Sequence, residues 1–166
     1  GQVYGGTHLL FTGVCWNMGW NSVEADMRDP EQLRAAIRAN KDRIGLIFLE
    51  SPSNPSLQVY DIAALRQVID EEYGEDEERP IFAVDNTFAG TFQSPRSPHD
   101  GLPGADVVVY SATKYLGGHS NLTAGMIAGW NGYTCRVKLG KDAEDLMMPL
   151  EGALLTHRAI GGFTPD

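Results

Sequence analysis

No apolar stretch in this chain approaches the roughly 20 consecutive residues that a membrane-spanning helix needs. The opening Gly1-Gln2-Val3-Tyr4 has neither a basic n-region nor an apolar h-region, so neither a membrane segment nor a secretory leader is expected. Basic residues are few: 13 Lys and Arg against 22 Asp and Glu give a formal net charge of −9. That is the wrong sign for neutralising nucleic-acid phosphates. Cysteine is scarcer still. Cys15 and Cys135 form no Cys-x-x-Cys pair, which leaves a disulfide framework and a structural zinc site without support and fits a reducing cytoplasm. His8, His99, His119 and His157 show no metal-ligand spacing. Internal repeats are absent, and the one biased segment is the acidic run from Asp70 to Glu78. It lacks the alternating ligands around a turn glycine of a calcium loop and reads as a solvated helix end and loop.

What is present suits one compact core: 166 residues, 42% of them hydrophobic. The chain has no initiator Met and its first motif begins by Tyr4, so it is expected to be part of something longer. Asp29-Pro30 is a cap and first-turn pair, predicting a helix to about Ala39 with Leu33, Ala36 and Ile37 on its inner face. Ile44 to Glu50 is a near-continuous apolar run of strand length, of the kind that suits a parallel strand covered on both faces. Ser51-Pro52-Ser53-Asn54-Pro55 is a loop. Asp61 predicts the cap of a second helix, Ile62 to about Tyr73, with Leu65, Val68 and Ile69 inward. Further strands are expected at Ile81–Val84 ending at Asp85, at Ala105–Tyr110 ending at Ser111, and at Gly125–Gly129. A helix is expected from about Asp142 to Ile160, with a break near Pro149 and Gly152. Alternation of strand and helix predicts an α/β fold with a mostly parallel sheet flanked by helices.

In such sheets ligands bind beyond the carboxyl ends of the strands, and the polar residues of this chain gather at those ends. Glu50 and Asn54 follow one strand, Asp85-Asn86-Thr87 the next, and Ser111, Thr113 and Lys114 the third. A lysine able to form a Schiff base and a carboxylate able to hold a pyridine nitrogen protonated are the first needs of a pyridoxal 5'-phosphate (PLP) site. Lys114 and Asp85 supply them on neighbouring elements. Ser111 and Thr113 add hydroxyls within reach of a phosphate, and Tyr4 in the Gly-rich turn Tyr4-Gly5-Gly6-Thr7 offers an aromatic face with little bulk around it. Taken singly, each has an ordinary reading: a strand-end cap, a surface lysine, a packing tyrosine, a simple turn at Gly117-Gly118. The combination is what points to a site.

The stretch Tyr110-Ser111-Ala112-Thr113-Lys114-Tyr115-Leu116-Gly117-Gly118-His119-Ser120 closely resembles the pyridoxal-lysine signature of the Cys/Met-metabolism enzymes, the relatives of cystathionine γ-synthase, cystathionine lyase and methionine γ-lyase. Val84-Asp85-Asn86-Thr87-Phe88 resembles that family's pyridine-nitrogen segment, Glu50-Ser51-Pro52-Ser53-Asn54-Pro55 its loop beside the ring, and Tyr4-Gly5-Gly6-Thr7 its ring-stacking turn, all in the family's order. The resemblance implies the large domain of a fold-type I PLP enzyme. Lys114 would carry the cofactor and shuttle protons, Asp85 would pair with the pyridinium, and Ser111 and Thr113 would bind the phosphate. Tyr4 would stack on the ring and assist at the leaving group, and Asn54 would sit near the phenolic oxygen. It implies β- or γ-elimination or replacement on a sulfur-containing or O-acylated amino acid, in a homotetramer built from dimers.

The chain covers well under half of such an enzyme. Residues 1–166 are therefore expected to be a partial cofactor-binding domain, without the N-terminal arm and the small C-terminal domain, and inactive alone. Within the family, Gly6 stands where methionine γ-lyases place a Cys, and Gly118-His119-Ser120 looks more like the synthase and lyase branches than the sulfhydrylase branch. His8 and the stretch 14–21, with Trp16 and Trp20, depart from the commoner pattern and are expected to pack. Transamination on the same fold type, or a non-catalytic cofactor-binding remnant, would use the same residues. A nucleotide-binding domain lacks its phosphate-loop motif.

Overall fold

The computed structural model describes residues 3–74, 77–90, 95 and 104–129. The helix expected from Asp142, Cys135, His99 and His157 lie outside the described residues. Within them, the chain runs through α1 (Gly5–Leu9), which continues as a π-helical segment (Leu10–Cys15), then α2 (Pro30–Asn40) and a short 3-10 turn (Lys41–Arg43). There follow β1 (Leu46–Glu50), α3 (Ile62–Glu72), β2 (Ile81–Asp85), β3 (Val107–Ser111) and β4 (Gly125–Gly129).

Local chemistry accounts for the helix starts. Asp29 is extended and its carboxylate accepts the Glu31 N–H at 3.0 Å, with Pro30 in the first turn. Asp61 does the same for Ala64 at 2.9 Å at the start of α3. Each side chain satisfies one of the orphan donors that every helix N-terminus exposes. Leu33 and Ile37 of α2 and Leu65, Val68 and Ile69 of α3 are buried. They join Ile47, Leu49, Phe82, Val84, Val108 and Tyr110 of the strands in one core.

The strands form a single sheet in the order β1-β2-β3-β4. The β1–β2 and β2–β3 pairs are parallel, and β3–β4 is antiparallel. The expected mostly parallel α/β sheet is present, with an antiparallel fourth strand that returns after a turn. Registers place Glu50 opposite Asp85, and Ser111 opposite Gly125. The ends of β1, β2 and β3 therefore lie along one edge.

Three expectations need correcting. The run Ile44–Glu50 is not covered on both faces among the described residues: Ile47 and Leu49 are buried, but Leu46 and Phe48 are only half-buried, with Phe11 tilted against Phe48 at 5.2 Å. The stretch with Trp16 and Trp20 does not pack inward, since these side chains are 61% and 59% exposed. The acidic run is more than a solvated end. Glu71 and Glu72 bind Arg34 at 2.6 Å each, Glu72 also binds Arg38, Asp70 binds Arg66 and Arg79, and Glu77 binds Lys41. Within it, Glu71 and Glu72 form the anionic side of the contact between α3 and α2. Arg34 and Arg38 lie far from Glu71 and Glu72 in sequence, which is why charge patterning alone reads the run as solvated.

Elsewhere on α3, Arg66 is 7% exposed and bonds Asp106 at 2.8 Å, while the other Asp106 oxygen accepts the Phe82 N–H at 2.9 Å. This pair pins α3 to the entrance of β2. No described helix is long and apolar enough to cross a membrane, and no cluster of potential metal ligands occurs among the described residues.

Candidate functional site

β2 ends at Asp85, which pairs in register with Glu50 of β1 on one side and Val109 of β3 on the other. One Asp85 oxygen accepts the Thr87 N–H at 2.8 Å; among the described residues the other has no protein partner. The Thr87 hydroxyl in turn accepts the Ser111 N–H at 2.7 Å. Thr87 therefore spans the ends of β2 and β3 and fixes Asp85 and Ser111 relative to each other. Asn86, buried beside it, donates to the Gly90 carbonyl at 3.0 Å and holds the turn that leaves the strand.

After Ser111 the chain makes the compact turn that carries Lys114. Lys114 N–H donates to the Ser111 carbonyl at 3.1 Å, and Gly117 N–H to the Ala112 carbonyl at 2.7 Å. A Cβ on Gly117 would stand 2.6 Å from that carbonyl oxygen, so the turn closes only around glycine. The Lys114 side chain is exposed and has no hydrogen bond or ion pair with the described residues. Thr113 is tied to the next strand: its hydroxyl donates to the Ala124 carbonyl at 3.3 Å and accepts the Ala124 N–H at 3.0 Å. Among the described residues the Ser111 hydroxyl has no such commitment.

Asn54 lies just past the end of β1, half-buried, its backbone N–H 3.3 Å from a Glu50 oxygen. Tyr4 is not in a turn as expected but caps α1, with its carbonyl accepting the His8 N–H at 3.0 Å. Its side chain is 58% exposed, and the ring lies over Gly6, where a Cβ would come within 2.6 Å of it. A side chain at position 6 would displace the Tyr4 ring. Two subsets result: Asp85, Ser111, Thr113 and Lys114 on the β2–β3 side, and Tyr4 and Asn54 gathered on Glu50. They share the carboxyl edge through the Glu50–Asp85 register, and Ser51 N–H donates to the Asp85 carbonyl at 3.0 Å.

Glu50 and Thr87 are the two connecting residues that sequence reasoning left without a role. Both belong to the quoted motifs, but their contacts depend on which strand ends become neighbours.

An amine, a carboxylate oxygen and a hydroxyl without partners among the described residues, together with an exposed aromatic ring, make a donor set that fits PLP. It offers an attachment point, a partner for a pyridine nitrogen, a phosphate donor and a ring face. The comparisons agree. The sequence model for Cys/Met metabolism PLP-dependent enzymes matches residues 1–160. A probable cystathionine gamma-synthase of Herpetosiphon aurantiacus is 44% identical over 130 residues, which are 76% of this chain and 35% of that protein. The cystathionine gamma-lyase of Bacillus subtilis is 33% identical over 92% of this chain and 36% of its own length. The crystal structure of cystathionine gamma-lyase from Lactobacillus plantarum, complexed with L-serine, superposes with a TM-score of 0.69 at 29% identity, covering 96% of this chain and 39% of that one. The chain thus spans a little over a third of the length of these relatives. It belongs to the family of Cys/Met metabolism PLP-dependent enzymes.

Proposed function

We propose that the protein carrying this chain catalyses β- or γ-elimination or γ-replacement on a sulfur-containing or O-acylated amino acid, with Lys114 attaching PLP and Asp85 facing its pyridine nitrogen. The observation that carries the reading is a Lys114 amine and an Asp85 carboxylate oxygen, each without a partner among the described residues, beyond the ends of adjoining parallel strands. The relatives' names, cystathionine gamma-synthase and gamma-lyase, support this reading.

When bound, PLP supplies the electron sink that makes a substrate α-hydrogen acidic. The rest falls to the protein. Asp85 holds a proton at the ring nitrogen through its free oxygen while the Thr87 N–H fixes the other. The Lys114 amine takes the α-proton and delivers it to the neighbouring substrate atoms. The Ser111 hydroxyl would bind the phosphate directly. Thr113 joins it by turning its O–H away from the Ala124 carbonyl, a bond of 3.3 Å. Tyr4 would cover the ring, its phenol assisting departure of the leaving group, and Asn54 would stand beside the ring's phenolic oxygen.

Residues 1–166 would then be the central part of the large cofactor-binding domain. The complete protein, a cytoplasmic homotetramer built from dimers, would supply the remaining grip on the substrate.

The test is covalent. Borohydride reduction of the PLP-loaded protein, followed by peptide mapping, should label Lys114, and Lys114→Ala should abolish turnover. Turnover by the Lys114→Ala variant, or label scattered over surface lysines, overturns the assignment.

A further inference from the structure

We propose that Glu50 is a positioning residue of the site, fixing the backbones of Tyr4 and Asn54 against the end of β1. This deepens the reading of Tyr4 and Asn54 given above and rests on it. Glu50 closes β1 and is 4% exposed, and among the described residues it makes no ion pair with any Lys, Arg or His. A buried carboxylate without a cation is costly unless hydrogen bonds compensate it, so the identity of its donors says what it is there for.

Those donors come from two separate segments. The Tyr4 N–H reaches both Glu50 oxygens at 2.8 Å, and the Thr7 hydroxyl donates to Oε1 at 2.9 Å. The Asn54 N–H is 3.3 Å from Oε2. One carboxylate thereby joins the start of α1, the end of β1 and the loop beyond it. An apolar side chain would fill the same space, but only a carboxylate can accept from Tyr4, Thr7 and Asn54 together.

The need for such a tether follows from the segment it holds. No residue of α1 or of the π-helical segment after it is buried, so packing alone does little to fix them. The Tyr4 ring is mostly exposed. A side chain that must cover a flat ligand loses little on binding only if its backbone is already in place. Glu50 supplies that restraint from the most rigid neighbour available, the sheet, and Glu50 itself is in register with Asp85. The ring face offered by Tyr4 and the carboxylate offered by Asp85 are in this way referred to the same strand ends.

The test uses the intact protein and a double-mutant cycle on PLP affinity with Glu50→Gln, Tyr4→Ala and the pair. Gln keeps the shape but turns an amide donor towards the donors that Glu50 accepts. Each single change should weaken PLP binding about tenfold, the order expected for losing a hydrogen bond to a charged group or a ring contact. The double variant should fall clearly short of the about hundredfold loss that independent effects would give, because Glu50 acts in part through Tyr4. In parallel, amide exchange at Tyr4 and Asn54 should quicken about tenfold or more in Glu50→Gln, with Ile69 and Val84 unchanged as reporters of the core.

Additive losses in the cycle, or unchanged exchange at Tyr4, overturn the proposal. If Tyr4→Ala leaves PLP affinity intact, it is the stacking role of Tyr4 that fails, and the exchange experiment still decides the tether. Should Glu50→Gln not fold, Thr7→Val removes one donor only. It should still quicken Tyr4 exchange, by about two- to threefold for a single neutral bond, and no change there counts against the tether.

Discussion

Residues 5–23 and the body made of α2, α3 and the first three strands use apolar side chains in opposite ways. In the body, Leu33, Ile37, Leu65, Ile69, Phe82, Val84 and Val108 converge on one core. In the N-terminal segment Leu9, Val14, Trp16, Met18, Trp20 and Val23 all stand largely in solvent. Between the two lies an open groove of about 660 Å³, lined by Phe11, Trp20 and Val23 on one side and Leu46 and Phe48 on the other. The body is held by burial, whose contribution grows with the apolar area removed from water. The segment that carries Tyr4 is held by the Phe11–Phe48 contact and by hydrogen bonds to Glu50. The same residue types therefore carry different weight in the two regions, and a polar tether does for the segment what packing does for the body.

Substitutions can break that contrast. Phe82 is fully buried in the central region of the sheet, and Phe82→Ala should cost about 3–5 kcal/mol, read as a lowered urea midpoint with loss of the whole fold. Asp106→Ala strips Arg66 of its 2.8 Å partner in a buried setting and frees the Phe82 N–H. Arg66 keeps Asp70, so the change should cost about 2 kcal/mol, and Asp106→Asn, which can still accept the Phe82 N–H, should recover part of that.

The ion pairs on the rim of the body sharpen the comparison through pH. Glu72 is held at about 2, against an ordinary 4.5, by hydrogen bonds from Arg38 and then Arg34. Its value is lowered on folding, so between these limits the unfolded chain binds more protons than the folded one. The contribution is complete above about pH 4.5 and disappears as pH falls towards 2. Urea midpoints measured across that window should fall more steeply in the wild type than in Glu72→Gln. High salt should shrink the difference, because Arg38 is exposed.

Smallest of all should be the effect of Trp16→Ser. A tryptophan that is 61% exposed should change stability by no more than about 0.5 kcal/mol, despite being among the largest apolar side chains in the chain. A loss of several kcal/mol there, measured by the same urea titration, would erase the distinction between the two regions.

The parts of the fold that were legible are those that local physics decides. The caps at Asp29 and Asp61 accept from donors two and three residues away. The strand at Ile81–Asp85 and the inward faces of α2 and α3 follow from apolar periodicity over a few residues. The candidate site was legible as a set of residue types at strand ends, because parallel strands put those ends on one edge. What was missed depends on partners remote in sequence: the Arg34–Glu72 and Arg66–Asp106 pairs, the Thr87 bridge to Ser111, and the exposure of Trp16 and Trp20. Even Tyr4-Gly5-Gly6-Thr7, whose glycines suggested a turn, begins a helix, with the Tyr4 N–H and the Thr7 hydroxyl bonded to Glu50 across the fold.

The sequence by itself therefore determined the alternation of elements, their caps and the residues capable of PLP chemistry, since propensity, patterning and functional-group identity are carried residue by residue. Only the tertiary structure decided that Thr87 ties the end of β2 to Ser111, and that Glu50 gathers Tyr4 and Asn54. Those facts arise from which strand ends become neighbours. A hydrogen bond between residues 46 positions apart, such as Tyr4 to Glu50, exists only once the sheet has brought them within reach.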